Sequence, residues 1–193
     1  MDTTTVAQRT GWARPAGIVG LVGGLVAVGV GAYELSTLPL EVSTTSGLRN
    51  ALLHVATIVA LAGLAALGAV GTAWWGRLGL GLTILGFVAL TVAEVLEPVD
   101  PVTAMAIFEL APLVIGPGLV LAGAAVLHAR RWSGWRRVVP LAVGAYVLAV
   151  FLPVMIAIGT DAAFWTVFIG FELGLAALGL AVAQEASAGS RAT

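Results

Sequence analysis

Cysteine is absent from this 193-residue chain, which removes disulfides, thiolate metal sites and the dithiol relays of membrane oxidoreductases that make or shuttle disulfides. Lysine is absent too. All nine basic residues are arginine, so a retinal Schiff base, which needs a membrane lysine, is impossible. Only 10% of the residues are charged and the net charge is −1; with no basic run, nucleic acid has nothing to hold. G-x-S-x-G, H-E-x-x-H and a Walker loop are all missing, as are paired histidines on two helices for a membrane haem. None of the six serines lies deep in an apolar segment, which argues against an intramembrane serine protease.

What remains is hydrophobic. At 60% hydrophobic residues the chain has too little polar surface to cover a water-facing exterior. A membrane helix needs about 20 mainly apolar residues, and the sequence predicts six such spans near Ala16–Leu35, Ala51–Trp74, Leu78–Leu96, Thr103–His128, Val138–Gly159 and Ala163–Ala183. The expected fold is an all-α polytopic membrane protein of three helical hairpins. Residues 1–15 form a tail, 16–183 the transmembrane domain and 184–193 a second tail. No A-x-A pattern closes the first apolar segment, so it reads as a retained helix rather than a cleaved signal peptide.

Arginine sets the expected orientation. Arg9, Arg14, Arg77, Arg130, Arg131, Arg136 and Arg137 precede the first, third and fifth spans and Arg191 follows the sixth, whereas the opposite connectors hold only Arg49. The positive-inside rule then predicts both termini on the cytoplasmic side of the inner membrane. Tryptophan accompanies arginine at each cytoplasmic approach, in Gly11-Trp12-Ala13-Arg14-Pro15, Trp74-Trp75-Gly76-Arg77 and Arg131-Trp132-Ser133-Gly134-Trp135-Arg136-Arg137. Such pairs anchor a helix at the headgroup level, and their recurrence is compatible with a degenerate two-helix repeat. The all-arginine basic set and the alanine bias suit a high-GC bacterial genome.

Carboxylates mirror the arginines: Glu34, Glu41, Glu94, Glu97, Asp100, Glu109, Asp161 and Glu172 fall on the outer side or within spans. Glu41, Asp100 and Asp161 read as solvated loop residues. Glu172 differs, because it falls about 15 Å from either edge of the sixth span. An ionisable group at that depth is costly unless protonated, paired or facing a polar cavity, so it is a functional candidate, with a neutral interhelical hydrogen bond as the structural alternative. Glu109 lies about two turns inside the fourth span, ahead of Pro112 and Pro117. Prolines there free the Phe108 and Leu113 carbonyls around a Gly116-Pro117-Gly118 break, as interrupted transporter helices do, or simply kink the helix.

His54 lies about one turn inside the second span, and Glu94 with Glu97 shares one face of the third at i,i+3 spacing. Grouped by depth, His54, Glu94 and Glu109 suggest a nitrogen–oxygen site for a divalent cation or a proton path toward Glu172, against a structural hydrogen-bond network. His128, beside Arg130 and Arg131, reads as a solvated interfacial histidine. Glycines in the first two spans, among them Gly20, Gly23, Gly24, Gly63 and Gly68, permit close helix packing. That packing is within the chain or, alternatively, against a second copy or a larger membrane partner.

The stretch Ala129-Arg130-Arg131-Trp132-Ser133-Gly134-Trp135-Arg136-Arg137, followed by Pro140-Leu141 and Gly144, resembles a pattern in small, uncharacterised six-helix membrane proteins of high-GC bacteria. The hairpin rhythm is similar to that of HdeD-like acid-resistance membrane proteins, and the helix count to that of substrate-binding subunits of energy-coupling vitamin transporters. None of these likenesses brings a diagnostic motif, and none carries over an activity or a cofactor. The residues themselves point first to binding or transport of a proton, cation or small solute through a membrane-embedded carboxylate pocket holding Glu172, Glu109, Glu94 and His54. A non-catalytic accessory or scaffold subunit docking through Gly20 and Gly24 is one alternative. A metal-dependent membrane hydrolase using His54 and the carboxylates is the other.

Overall fold

The structure is a computed structural model that describes residues 11–38, 44–157 and 161–189. Arg9, Glu41, Gly159 and Arg191 lie outside the described residues. Among the described residues six helices are long and apolar enough to cross a membrane, which makes this an all-α, multi-pass membrane protein. They are α1 (Ala13–Ser36), α2 (Thr44–Ala66), α3 (Trp74–Leu96), α4 (Pro101–Ala129), α5 (Val139–Ala157) and α6 (Asp161–Gly189). Each helix packs on the next in sequence, and α6 closes the ring with a long seam against α1. Among the described residues one end of the bundle carries every arginine but Arg49, and the other carries most of the carboxylates.

Small residues make these seams possible. A Cβ at Gly24 of α1 would fall 2.7 Å from the backbone nitrogen of Ala176 in α6, and one at Gly79 of α3 would fall 2.6 Å from the carbonyl oxygen of Gly118 in α4. Backbones this close gain dispersion contacts along their whole length, which is what holds helices together where lipid offers no hydrophobic drive. Gly17, Gly20, Gly23, Gly24 and Gly31 of α1 all meet α2 or α6 of the same chain, whereas Gly29 meets nothing. At the centre, Phe87, Leu61, Leu64, Ile115 and Leu119 are buried in one continuous core.

Two helix limits depart from the hydropathy profile. Helix α2 runs Thr44–Ala66 rather than Ala51–Trp74, because a glycine ends it inside the apolar run. The Gly68 amide donates to the Ala65 carbonyl (2.9 Å) and the Ala69 amide to that of Leu64 (3.4 Å), the paired bonds of a Schellman motif, with Gly68 at φ +61°. Only glycine takes that left-handed position without strain. A second left-handed glycine, Gly71, turns the chain into α3. Apolarity alone cannot see this stop. The helix also starts earlier than expected, at Thr44, so that Arg49, assigned above to a connector, lies within α2.

Helix α6 continues past Ala183 to Gly189, so much of the assigned C-terminal tail is helical. Glu185 explains the ordered end: it lies 3.1 Å from Arg136 Nε and accepts the Ser133 amide at 3.1 Å. Nearby, Arg131 Nη1 donates to the carbonyl of Gly68 (3.1 Å), tying the α4–α5 connector to the end of α2. Trp12, Trp74 and Trp135 are exposed, but Trp132 is buried in the core and is therefore no headgroup anchor. The break expected at Gly116-Pro117-Gly118 is absent, and α4 is one helix through both Pro112 and Pro117. The irregularity lies instead in α5, where Val147–Phe151 form a π turn. Pro153 follows it, with no amide hydrogen for the Ala149 carbonyl and a ring that crowds it, and the wider turn accommodates both.

Candidate functional site

A cleft of about 580 Å³ enters the bundle from the carboxylate end. Ser46, Glu97 and Asp161 stand at its mouth and Ile115, Val147 and Phe171 at its depth. Phe171 is about 15 Å along α6 from Asp161. The two sides differ in chemistry. Helices α1 to α3 contribute Glu34, Arg49, Asn50, His54, Glu94 and Glu97; α4 to α6 contribute mostly Phe, Trp and Met, with Glu109 and Asp161 near the mouth.

The polar side is one connected chain across three helices. Arg49 Nη2 donates to Glu34 at 2.6 Å, and Arg49 Nε to the side-chain oxygen of Asn50 at 3.2 Å. Asn50 Nδ2 then donates to Glu94 Oε2 at 3.2 Å, while His54 Nε2 lies 3.4 Å from Glu94 Oε1. Glu34, His54 and Glu94 are buried. Asn50 and His54 stand four residues apart, so both side chains lie on one face of α2 and meet the same carboxylate. Polar groups with this little access to water are tolerated when each has a partner, as these do.

Glu97, one turn beyond Glu94 at the end of α3, has no such partner among the described residues. Its partial burial and the Glu94 carboxylate beside it hold its pKa above the ordinary glutamate value. The folded protein therefore binds this proton more tightly than the unfolded chain does. The stabilisation is complete at low pH and is lost as pH rises through the folded pKa. Glu97→Gln is expected to raise the melting temperature near about pH 8 and leave it unchanged near about pH 4; thermal unfolding across that range checks this. At the start of α4 the opposite holds for Asp100, which accepts the Thr103 amide at 3.1 Å and is held below the usual aspartate value by hydrogen bonds from Thr103, as an N-cap carboxylate should be.

The four site residues read from sequence separate. His54 and Glu94 meet directly. Glu109 lines the same cavity but is exposed on α4. Among the described residues no three His, Asp or Glu side chains come together as a metal site, so the grouping of His54, Glu94 and Glu109 by depth does not assemble a divalent-ion centre. Glu172 is 2% exposed and forms no hydrogen bond or ion pair among the described residues. Gly24 faces Ala176 and Gly31 faces Ile169, which sets Glu172 at the level of Val28 on α1. Counting along α2 from the contacts of Gly20 with Ala60 and Gly23 with Ala56, the same level falls at the turn of His54.

Aromatic rings stand between these two groups. The Phe87 ring lies 6.0 Å from that of His54 and stacks at 6.2 Å on Phe171, the residue before Glu172. Phe168 and Phe171 line the cleft; Glu172 is not among its lining residues. Phe164, Phe168 and Phe171 were legible as an aromatic stripe at i, i+4, i+7, although such a stripe ordinarily marks core packing. Arg49 was read only for orientation, and Asn50 escaped notice, because the helix that presents them was expected to begin at Ala51. The comparisons with known proteins returned nothing: no protein family, no curated protein and no solved structure matches the chain.

Proposed function

We propose that this protein binds a proton, cation or small solute in a pocket open to the outer face of the bacterial inner membrane and moves it toward Glu172. The supporting observation is the cleft itself, which carries Glu34, Glu94, Glu97, Glu109 and Asp161 against a single arginine and reaches about halfway along α6. Three hairpins with both termini cytoplasmic put the arginine end inside and the cleft outside, in keeping with the positive-inside rule. In this reading Glu94 with His54 forms the polar wall, Glu109 attracts positive charge at the mouth, and Glu172 is the inner carboxyl reached past Phe168 and Phe171. A carboxyl at that depth with no partner among the described residues is costly to leave ionised, which makes it a candidate to take or release a proton when a charge or water arrives.

Pre-steady-state currents from proteoliposomes test the reading. A pH or cation step is expected to displace charge in the wild type, and Glu172→Gln to abolish that signal while elution as a single folded species is retained. An unchanged current in Glu172→Gln removes the residue from the mechanism; no current from the wild type overturns the reading.

A further inference from the structure

We infer that the cleft is a binding site for a lipophilic organic cation, with an ammonium-like or phosphonium-like centre and an apolar body. The inference rests on the cleft being a ligand pocket and narrows its occupant. Charge gives the sign. Glu34 is neutralised by Arg49, and Glu94 is engaged by Asn50 and His54. Glu97, Glu109 and Asp161 line the cleft with no cationic partner among the described residues. The chain between α1 and α2 and that between α5 and α6 carry no arginine, lysine or histidine, so the whole carboxylate end attracts positive charge and repels an anion.

The opposite wall gives the chemical class. Phe164, Trp165 and Phe168 form a mutual cluster with ring centroids 5.0 to 5.7 Å apart. Phe151 of α5 extends it, 6.1 Å from Phe164 and 5.7 Å from Phe171. Aromatic faces attract a diffuse cation and pack equally well against hydrocarbon. Met105 and Met155 on the same wall adapt their shape to an irregular occupant. A bare metal ion needs several converging oxygens, and no three candidate ligands converge among the described residues. A volume of about 580 Å³ matches an organic molecule of drug-like size, which pockets of roughly 300 to 1,000 Å³ enclose.

Tetraphenylphosphonium and tetraphenylborate have nearly the same shape and opposite charge, so together they separate electrostatic recognition from apolar partition. Equilibrium dialysis against the full-length protein in nanodiscs, with empty nanodiscs subtracted, is expected to show saturable one-to-one binding of the phosphonium and none of the borate. Trp165→Ala should weaken it about tenfold. The double variant Glu97→Gln with Glu109→Gln, which leaves the aromatic wall intact, should weaken it about fivefold or more, with the loss shrinking in high salt.

Equal binding of both ions, binding indifferent to the carboxylate variant, or no saturable binding would each overturn the inference. If one of these occurs while proton or inorganic-cation currents persist, the transport reading stands and only the organic-cation assignment falls. Phosphonium binding of the expected kind without any current leaves the site in place and removes transport.

Discussion

Gly24→Leu is expected to yield little or no monodisperse protein, because α1 and α6 cannot then approach. A Cβ at this position falls 2.7 Å from the Ala176 nitrogen and 2.9 Å from its Cα; both are backbone atoms, so no rotamer change relieves the overlap. The helices must separate along the seam that closes the ring, with the loss of the contacts around Gly17, Gly20 and Ala27 as well. Overpacking a close contact costs about 1–3 kcal/mol, and a branched side chain against backbone belongs at or above the top of that range. Gly29→Leu, on the same helix but with nothing near its Cβ, is the control and should behave as wild type. Thermal denaturation in mild detergent, read by size-exclusion chromatography, compares the two. Equal stability of both variants would mean that the α1–α6 seam does not hold the bundle.

Arg49→Ala is expected to destabilise the protein by about 1–2 kcal/mol, with much of the loss recovered by adding Glu34→Gln. The 2.6 Å pair with Glu34 leaves a carboxylate with 11% side-chain exposure and no other cationic partner among the described residues when the arginine is removed. Arg49 itself is 34% exposed, so solvent screening reduces the cost below that of a deeply buried pair. The same truncation withdraws the Nε donor from Asn50, which loosens the amide that holds Glu94. A double-mutant cycle over Arg49 and Glu34 measures the coupling. A second cycle over Arg49 and Glu94 measures how far it travels along the chain of hydrogen bonds. Additive losses in the first cycle would show that the pair contributes nothing to stability.

Several features of the bundle were readable before any coordinates. Six apolar runs of sufficient length gave six helices, and α4 starts at Pro101, within two residues of the expected limit at Thr103. The misplaced α2 has a specific cause: Leu67-Gly68-Ala69-Val70-Gly71 is as apolar as a span, and the stop depends on the sign of φ at Gly68 and Gly71. Conversely, Pro117 between two glycines looked like a helix break, yet α4 runs through it while Gly116 packs on Leu148 and Gly118 on Thr83. Neighbouring helices can hold a proline-bearing turn in helical form inside a membrane. Pro153, which drew no notice, accompanies the π turn instead.

The sequence by itself determined the solvent and the approximate extent of each helix. Length and apolarity are sums over neighbouring residues, and a stretch with almost no charge has one environment in which it is stable. The tertiary structure alone decided which polar groups meet. In a lipid-soluble bundle the outward face of a helix is as apolar as the inward one, so no amphipathic pattern reports its rotation about its own axis. That rotation is set by the fit of small residues between helices distant in sequence, above all α1 against α6. It is this fit that brings His54 to Glu94, leaves Glu109 exposed, and seats Glu172 behind Phe171 rather than in the cleft.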